Sequence, residues 1–175
     1  AAESLGASLP TVMRRIVFPQ VIPGVLSGGL IVFALAASAF ATPLGSIALD
    51  TTALAKLAEL PQVVFSDHAH AQEHSLEVHL PFLQRVLDDF TLVPLAVGHA
   101  SPEAVAEVLD RLWGGDETLI VISSDLSHFL PYAAANQVDR DTCRHILELD
   151  TGIRPEQACG AYPVNGLLLA ARQRG

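Results

Sequence analysis

The 175-residue sequence predicts an α/β fold, a sheet with flanking helices, preceded by a hydrophobic transmembrane-type helix. Three observations carry this. Short apolar runs rich in β-branched residues flank a capped amphipathic segment, further amphipathic segments follow, and residues 16–49 contain no charged side chain. Taking the soluble part first, residues 90–97 (FTLVPLAV) and 118–123 (TLIVIS) have the composition of buried strands. Between them Ser101-Pro102-Glu103 opens a helix, with Ser as N-cap, Pro in the first turn and an acid at the positive end of the dipole. That helix, residues 102–113, lines up Val105, Val108, Leu109 and Leu112, and Gly114-Gly115 ends it. Strand, helix and strand at this spacing predict a parallel βαβ unit. Residues 74–87, 136–149 and 162–172 read as amphipathic helices.

Composition bounds the possibilities. Half of the chain is apolar, only 17% is charged, and the mean hydropathy is +0.39, too apolar for a disordered chain. Two cysteines exclude a disulfide framework, though either thiol is available as a ligand or nucleophile. A net charge of −9 and a pI near 5.1 argue against nucleic acid as a partner, because phosphates need a basic face. The charge is unevenly spread. Residues 1–49 carry only Glu3, Arg14 and Arg15, while the acidic remainder holds every histidine and both cysteines.

The stretch 21–41 (VIPGVLSGGLIVFALAASAFA) is uncharged and matches the roughly 20 residues needed to span about 30 Å of hydrocarbon. Gly24, Gly28 and Gly29 would let neighbouring helices approach closely in lipid. Arg14 and Arg15 would hold the preceding segment on the cytoplasmic side.

Three polar clusters follow. Residues 67–81 hold His68, His70, Glu73, His74, Glu77 and His79, whose imidazoles and carboxylates suit a metal but also suit a solvated helix face. Ser123-Ser124-Asp125-Leu126-Ser127-His128 comes directly after a predicted strand, where α/β sheets bind ligands. Asp125 and His128 can share a hydrogen bond that fixes the imidazole tautomer; the alternative is a loop in which Asp125 caps the next turn. Cys159 lies just ahead of a helix N-terminus, facing the positive end of its dipole, whereas Cys143 falls inside a helix and reads as a buried, inert thiol.

Residues 1–45 resemble the coupling loop and following membrane helix of binding-protein-dependent ABC importer permeases. Ala1, Ala2, Gly6, Ile16 and Pro19 match the pattern, with Phe18 in place of a leucine. The resemblance implies a short coupling helix in which Gly6, Ile16 and Pro19 dock on an ABC ATPase subunit. It makes that subunit a partner through residues 1–19 and the membrane a partner through residues 21–41.

From Thr42-Pro43-Leu44-Gly45 onward the chain resembles another family. The motifs E-H-S-L-E-V-H-L-P-F-L-Q, V-P-L-A-V-G, S-S-D-L-S-H-F and C-G-A-Y-P-V-N-G-L-L are similar in order and spacing to those of the Memo family, AmmeMemoRadiSam system protein B. The resemblance implies part of a class III extradiol dioxygenase-like fold. Asp125, His128 and Cys159 would be the catalytic pocket, with Cys159 the metal ligand, and Glu73, His74, Glu77 and His79 would support it. Iron or copper is the cofactor expected of an intact homologue, and an unidentified small molecule the partner. The family's P-H-A-G-Y and G-P-S-H motifs, with the two expected histidine ligands, do not occur in the sequence, so tight metal binding is not expected of this chain.

Two segments are therefore expected, a permease-like piece over 1–41 and an incomplete Memo-like α/β domain over 42–175. The function read first is that of a Memo-like, dioxygenase-like fragment with a metal or ligand pocket. The alternatives are a permease component coupling to an ATPase, and a non-functional hybrid of two gene fragments joined at a tetrapeptide common to both families. Inner-membrane localisation follows if residues 21–41 insert, and cytoplasmic localisation if they do not.

Overall fold

The computed structural model describes residues 31–33, 39–70 and 73–175. Along the chain run β1 (Ile31–Phe33), β2 (Ala39–Thr42), β3 (Gly45–Ala48), α1 (Thr51–Leu57), β4 (Val63–Phe65), α2 (Asp67–His70), α3 (Leu80–Val86), β5 (Leu95–Val97), α4 (Pro102–Leu112), α5 (Tyr132–Leu147) and α6 (Ala161–Arg174).

The expected membrane helix is corrected first. Within residues 21–41, Ile31–Phe33 is the middle strand of a three-stranded sheet ordered β4-β1-β5, and residues 39–41 belong to β2. Among the described residues no helix is long and apolar enough to cross a membrane. An uninterrupted apolar run suits a strand with ladders on both sides as well as it suits a helix, and periodicity does not separate the two. The rest of that stretch, and Gly6, Ile16 and Pro19 before it, lie outside the described residues.

Strand β1 pairs parallel with β4, Ile31 opposite Val63, and antiparallel with β5, Ile31 opposite Val97. Strands β2 and β3 form a separate hairpin whose turn is Thr42-Pro43-Leu44-Gly45. Pro43 presets the turn, the Thr42 hydroxyl donates to the Gly45 carbonyl at 2.7 Å, and Gly45 takes a φ of +119° that side chains resist. Beyond β3, the Asp50 amide donates to the Leu92 carbonyl and the Leu92 amide to the Ala48 carbonyl, which ties the hairpin to the run before β5.

The parallel βαβ unit does not form as expected. Strand β5 is antiparallel to β1, and residues 118–123 have no ladder partner among the described residues, though Ile120 packs on the core. Spacing shows only that a crossover is long enough for a parallel return; the neighbour that makes a run into a strand lies elsewhere in the chain. The helix expected over 74–87 is likewise shorter. Residues 75–79 are turns, and α3 starts at Leu80 because Pro81 is accepted in a first turn but would break a helix interior.

Helix α4 follows the sequence closely. Ser101 caps it through a 3.2 Å bond from the Ala104 amide, and Val105, Val108 and Leu109 are buried. They join Leu54, Leu57, Leu60, Val63, Leu169 and Ala170 in the main core. Helix α6 lies against α4 at Gly166, where a Cβ would fall 2.3 Å from the Val105 Cβ, so the missing side chain is what lets the helices meet. At the far end of the pair, Arg174 reaches Asp110 at 2.9 Å and covers the Trp113 ring at 4.5 Å. A smaller cluster of Ile153, Ala158, Ala161 and Leu168 sits under the start of α6. It is this end that carries the site.

Candidate functional site

Two segments remote in sequence meet ahead of α6. One is the loop from Ser123 to His128, and the other runs from Ile153 to Gly160 into the helix. Their meeting places donor atoms of Asp125, His128 and Cys159 within 4.8 Å of one another, all three exposed. The three residues assigned to catalysis from the sequence are thus brought together.

The junction is built from backbone. The Cys159 amide donates to the Asp125 carbonyl at 3.2 Å, and the Asp125 amide donates to Cys159 Sγ at the same distance. The Ser124 hydroxyl accepts the Gly160 amide at 2.9 Å and donates to the Asp125 carbonyl at 2.8 Å. A Cβ on Gly160 would fall 2.7 Å from both the Ser123 carbonyl oxygen and Ser124 Cβ, so the approach requires glycine. Within the loop, His128 Nε2 lies 3.6 Å from Asp125 Oδ2, too far for the hydrogen bond expected from the sequence, so the two are neighbours rather than a bonded pair.

The loop is fastened at its other end by α5. The Ser127 amide donates to Asp139 Oδ1 at 3.0 Å. That bond holds the Asp139 carboxyl below its usual range against a weaker opposing effect of burial. Directly after His128, Phe129 adopts a φ of +57°, uncommon for a bulky side chain, as the chain turns toward Pro131 and the start of α5.

Next to Cys159 the chain is interior, although Arg154, Pro155 and Glu156 before it are exposed. Gln157, Ala158, Gly160 and Ala161 are buried, and Cys159 alone among them is exposed. Asn165, itself buried, holds the base of the segment: its Oδ1 accepts the Ile153 amide at 3.2 Å and its Nδ2 donates to the Ile153 carbonyl at 2.7 Å.

Glu73, His74, Glu77 and His79, expected to support the pocket, lie on the turns before α3 and outside this cluster of three. The Glu73 carboxylate caps its own turn, accepting the amides of His74 at 2.8 Å and Ser75 at 2.9 Å. Burial pushes its carboxyl up, but the bonds from Ser75 and His74 and the charge of His74 together bring it below the usual range. Cys143 is exposed on α5, not buried as expected, because Thr142 is the residue this helix buries.

Sequence reasoning assigned no role to Ser124, Asp139, Gly160 or Asn165. One signal was available: an asparagine in the apolar run of α6 (AYPVNGLLLAA) must find partners if it is buried.

The donors fit a metal in kind. Thiolate, imidazole and carboxylate suit iron, copper or zinc, and three protein donors leave positions open for a substrate or water.

Comparison with known proteins gives the family. The model described as Memo-like protein matches residues 27–174. The match begins inside the stretch expected to be permease-like and passes through Thr42-Pro43-Leu44-Gly45; no comparison supports a permease there. A MEMO1 family protein of Archaeoglobus fulgidus is 35% identical over 117 residues, covering 62% of this chain and 43% of the relative. One of Methanothermobacter thermautotrophicus is 31% identical over 156 residues, covering 78% of this chain and 54% of the relative. The chain spans about half the length of the relatives it matches. No solved structure matches it. With a family match that takes in most of the sequence, the chain belongs to the Memo-like protein family.

Proposed function

We propose that the chain carries a Memo-type metal and ligand pocket formed by Asp125, His128 and Cys159, comparable with those of class III extradiol dioxygenases. The observation behind this reading is the convergence of three donor side chains from two remote segments onto one point. The donor set favours iron or copper, held weakly because the family's two further histidines do not occur in the sequence, with a small molecule as the ligand. A metal bound there supplies a Lewis acid to a substrate oxygen. The chain's own residues do the rest. Cys159 provides the soft ligand, held by the Asp125 amide. Asp125 Oδ2 and His128 Nε2 stand 3.6 Å apart, near enough to share one ion, and the exposure of all three leaves the point open to a ligand. The test is titration of the purified chain with Fe(II) under anaerobic conditions, and with Co(II) as a coloured probe. Stoichiometric uptake that is lost in Cys159→Ala and weakened in His128→Ala and Asp125→Ala supports the reading; uptake indifferent to all three substitutions overturns it.

The permease reading of residues 1–45 has no comparable support. Its docking residues Gly6, Ile16 and Pro19 precede the family match and lie outside the described residues. Co-purification of an ATPase subunit, lost on altering Gly6, is the result that would revive it.

A further inference from the structure

We infer that Asn165 is a positioning residue for the Cys159 thiol, an assignment that rests on the pocket proposed above. Asn165 lies one turn into α6, with only 7% of its surface exposed, and both ends of its amide are spent on a single residue. Oδ1 takes the Ile153 N–H and Nδ2 gives to the Ile153 carbonyl, the two bonds a neighbouring strand would otherwise offer. A buried amide serves both roles only in this orientation, so the side chain fixes Ile153 in place and direction.

From that fixed point a short series of turns leads to the thiol. The Arg154 amide donates to Gln157 Oε1 at 3.1 Å, and the amides of Gln157 and Ala158 donate to the Arg154 carbonyl at 2.9 and 3.2 Å. The Ala161 amide then donates to the Ala158 carbonyl at 3.1 Å as α6 begins. With Ile153 pinned at one end and α6 at the other, little freedom remains for Cys159 between them. The anchor is itself rigid, because Gly166, next to Asn165, is the point where α6 touches Val105 of α4. Removal of a partner that orients a metal ligand lowers metal affinity about 10–100-fold.

The experiment uses the full chain in a Cys143→Ser background, which leaves Cys159 as its one thiol. Asn165→Ala removes both bonds; Asn165→Asp keeps the volume and the acceptor for the Ile153 amide, and sets a carboxylate oxygen against the Ile153 carbonyl in place of the donor. Each is titrated with Co(II), following the thiolate-to-metal absorption, and alkylated with iodoacetamide in its folded state. Leu57→Ala, in the other core cluster, controls for general loss of stability. The expected result is Co(II) affinity lowered about tenfold or more in both Asn165 variants. The alkylation rate should change several-fold with it, and Leu57→Ala should leave both readouts unchanged. Wild-type values in both Asn165 variants would overturn the assignment, as would equal effects in Leu57→Ala. If Asn165→Ala does not fold, Asn165→Asp decides. If the parent chain takes up no Co(II), the pocket reading fails, and alkylation alone decides whether Asn165 positions the thiol.

Discussion

Asp125 and Cys159, far apart in sequence, exchange two backbone-based bonds: the Cys159 amide donates to the Asp125 carbonyl, and the Asp125 amide to the Cys159 sulfur, each at 3.2 Å. The exchange holds the thiol and the carboxylate at one place, and it depends on how closely the two segments approach.

That closeness is tested at Gly160. In Gly160→Ala the new Cβ meets a carbonyl oxygen and a Cβ at 2.7 Å, neither of which is the free end of a flexible chain. The segments must part, so the variant should lose about 1–3 kcal/mol of stability. Its metal affinity should fall together with its thermal midpoint. A midpoint equal to that of the parent would show that the junction is looser than described.

A second glycine tests the base of the site. Gly166→Ala gains about 1 kcal/mol in helix propensity. It also sets a Cβ 2.3 Å from two Val105 atoms, one of them a Cβ that cannot rotate away. The clash should win, for a net loss of about 1–2 kcal/mol. Combined with Val105→Ala, the loss should be smaller than that of the two single variants added together, as expected for residues in contact. Denaturant unfolding of the four proteins of this cycle checks it.

Acid should loosen the loop that carries Asp125 and His128. The Asp139 carboxyl is held below its usual range by the Ser127 amide, so its contribution is present above the ordinary carboxylate range. That contribution is lost as the pH falls through the lowered value. Asp139→Asn should therefore be less stable than the parent near neutrality, and the two thermal midpoints should converge in acid. A difference that grew on acidification would contradict the assignment.

Local chemistry was legible where a short stretch settles its own structure. Ser101-Pro102-Glu103 announces α4 because capping needs only the neighbouring amides, and the nearness of Asp125 to His128, though not the hydrogen bond expected between them, follows from their spacing in one loop. Cys159 was marked by its place just ahead of a helix N-terminus, and its role as a metal ligand came from the resemblance of its motif. What could not be read was whatever depends on a distant partner. The apolar run around Ile31–Phe33 reads as a helix until β4 and β5 are placed on either side of it. The run 118–123 reads as a strand although no described residue pairs with it in a ladder. Pro81 was a local signal against a helix over residues 74–87, and it shows in the late start of α3. Gly160 and Asn165 stood in view within C-G-A-Y-P-V-N-G, but their roles exist only against Ser124 and Ile153.

The central claim is that Cys159 binds a metal beside Asp125 and His128, and X-ray absorption at the metal edge of the Zn(II)-loaded chain tests it most directly. The account predicts one sulfur neighbour at about 2.3 Å, with nitrogen and oxygen at about 2.0–2.2 Å. The sulfur should be absent in Cys159→Ala and retained in Cys143→Ala. A shell of nitrogen and oxygen alone in the unaltered chain, measured with zinc in excess, would contradict it.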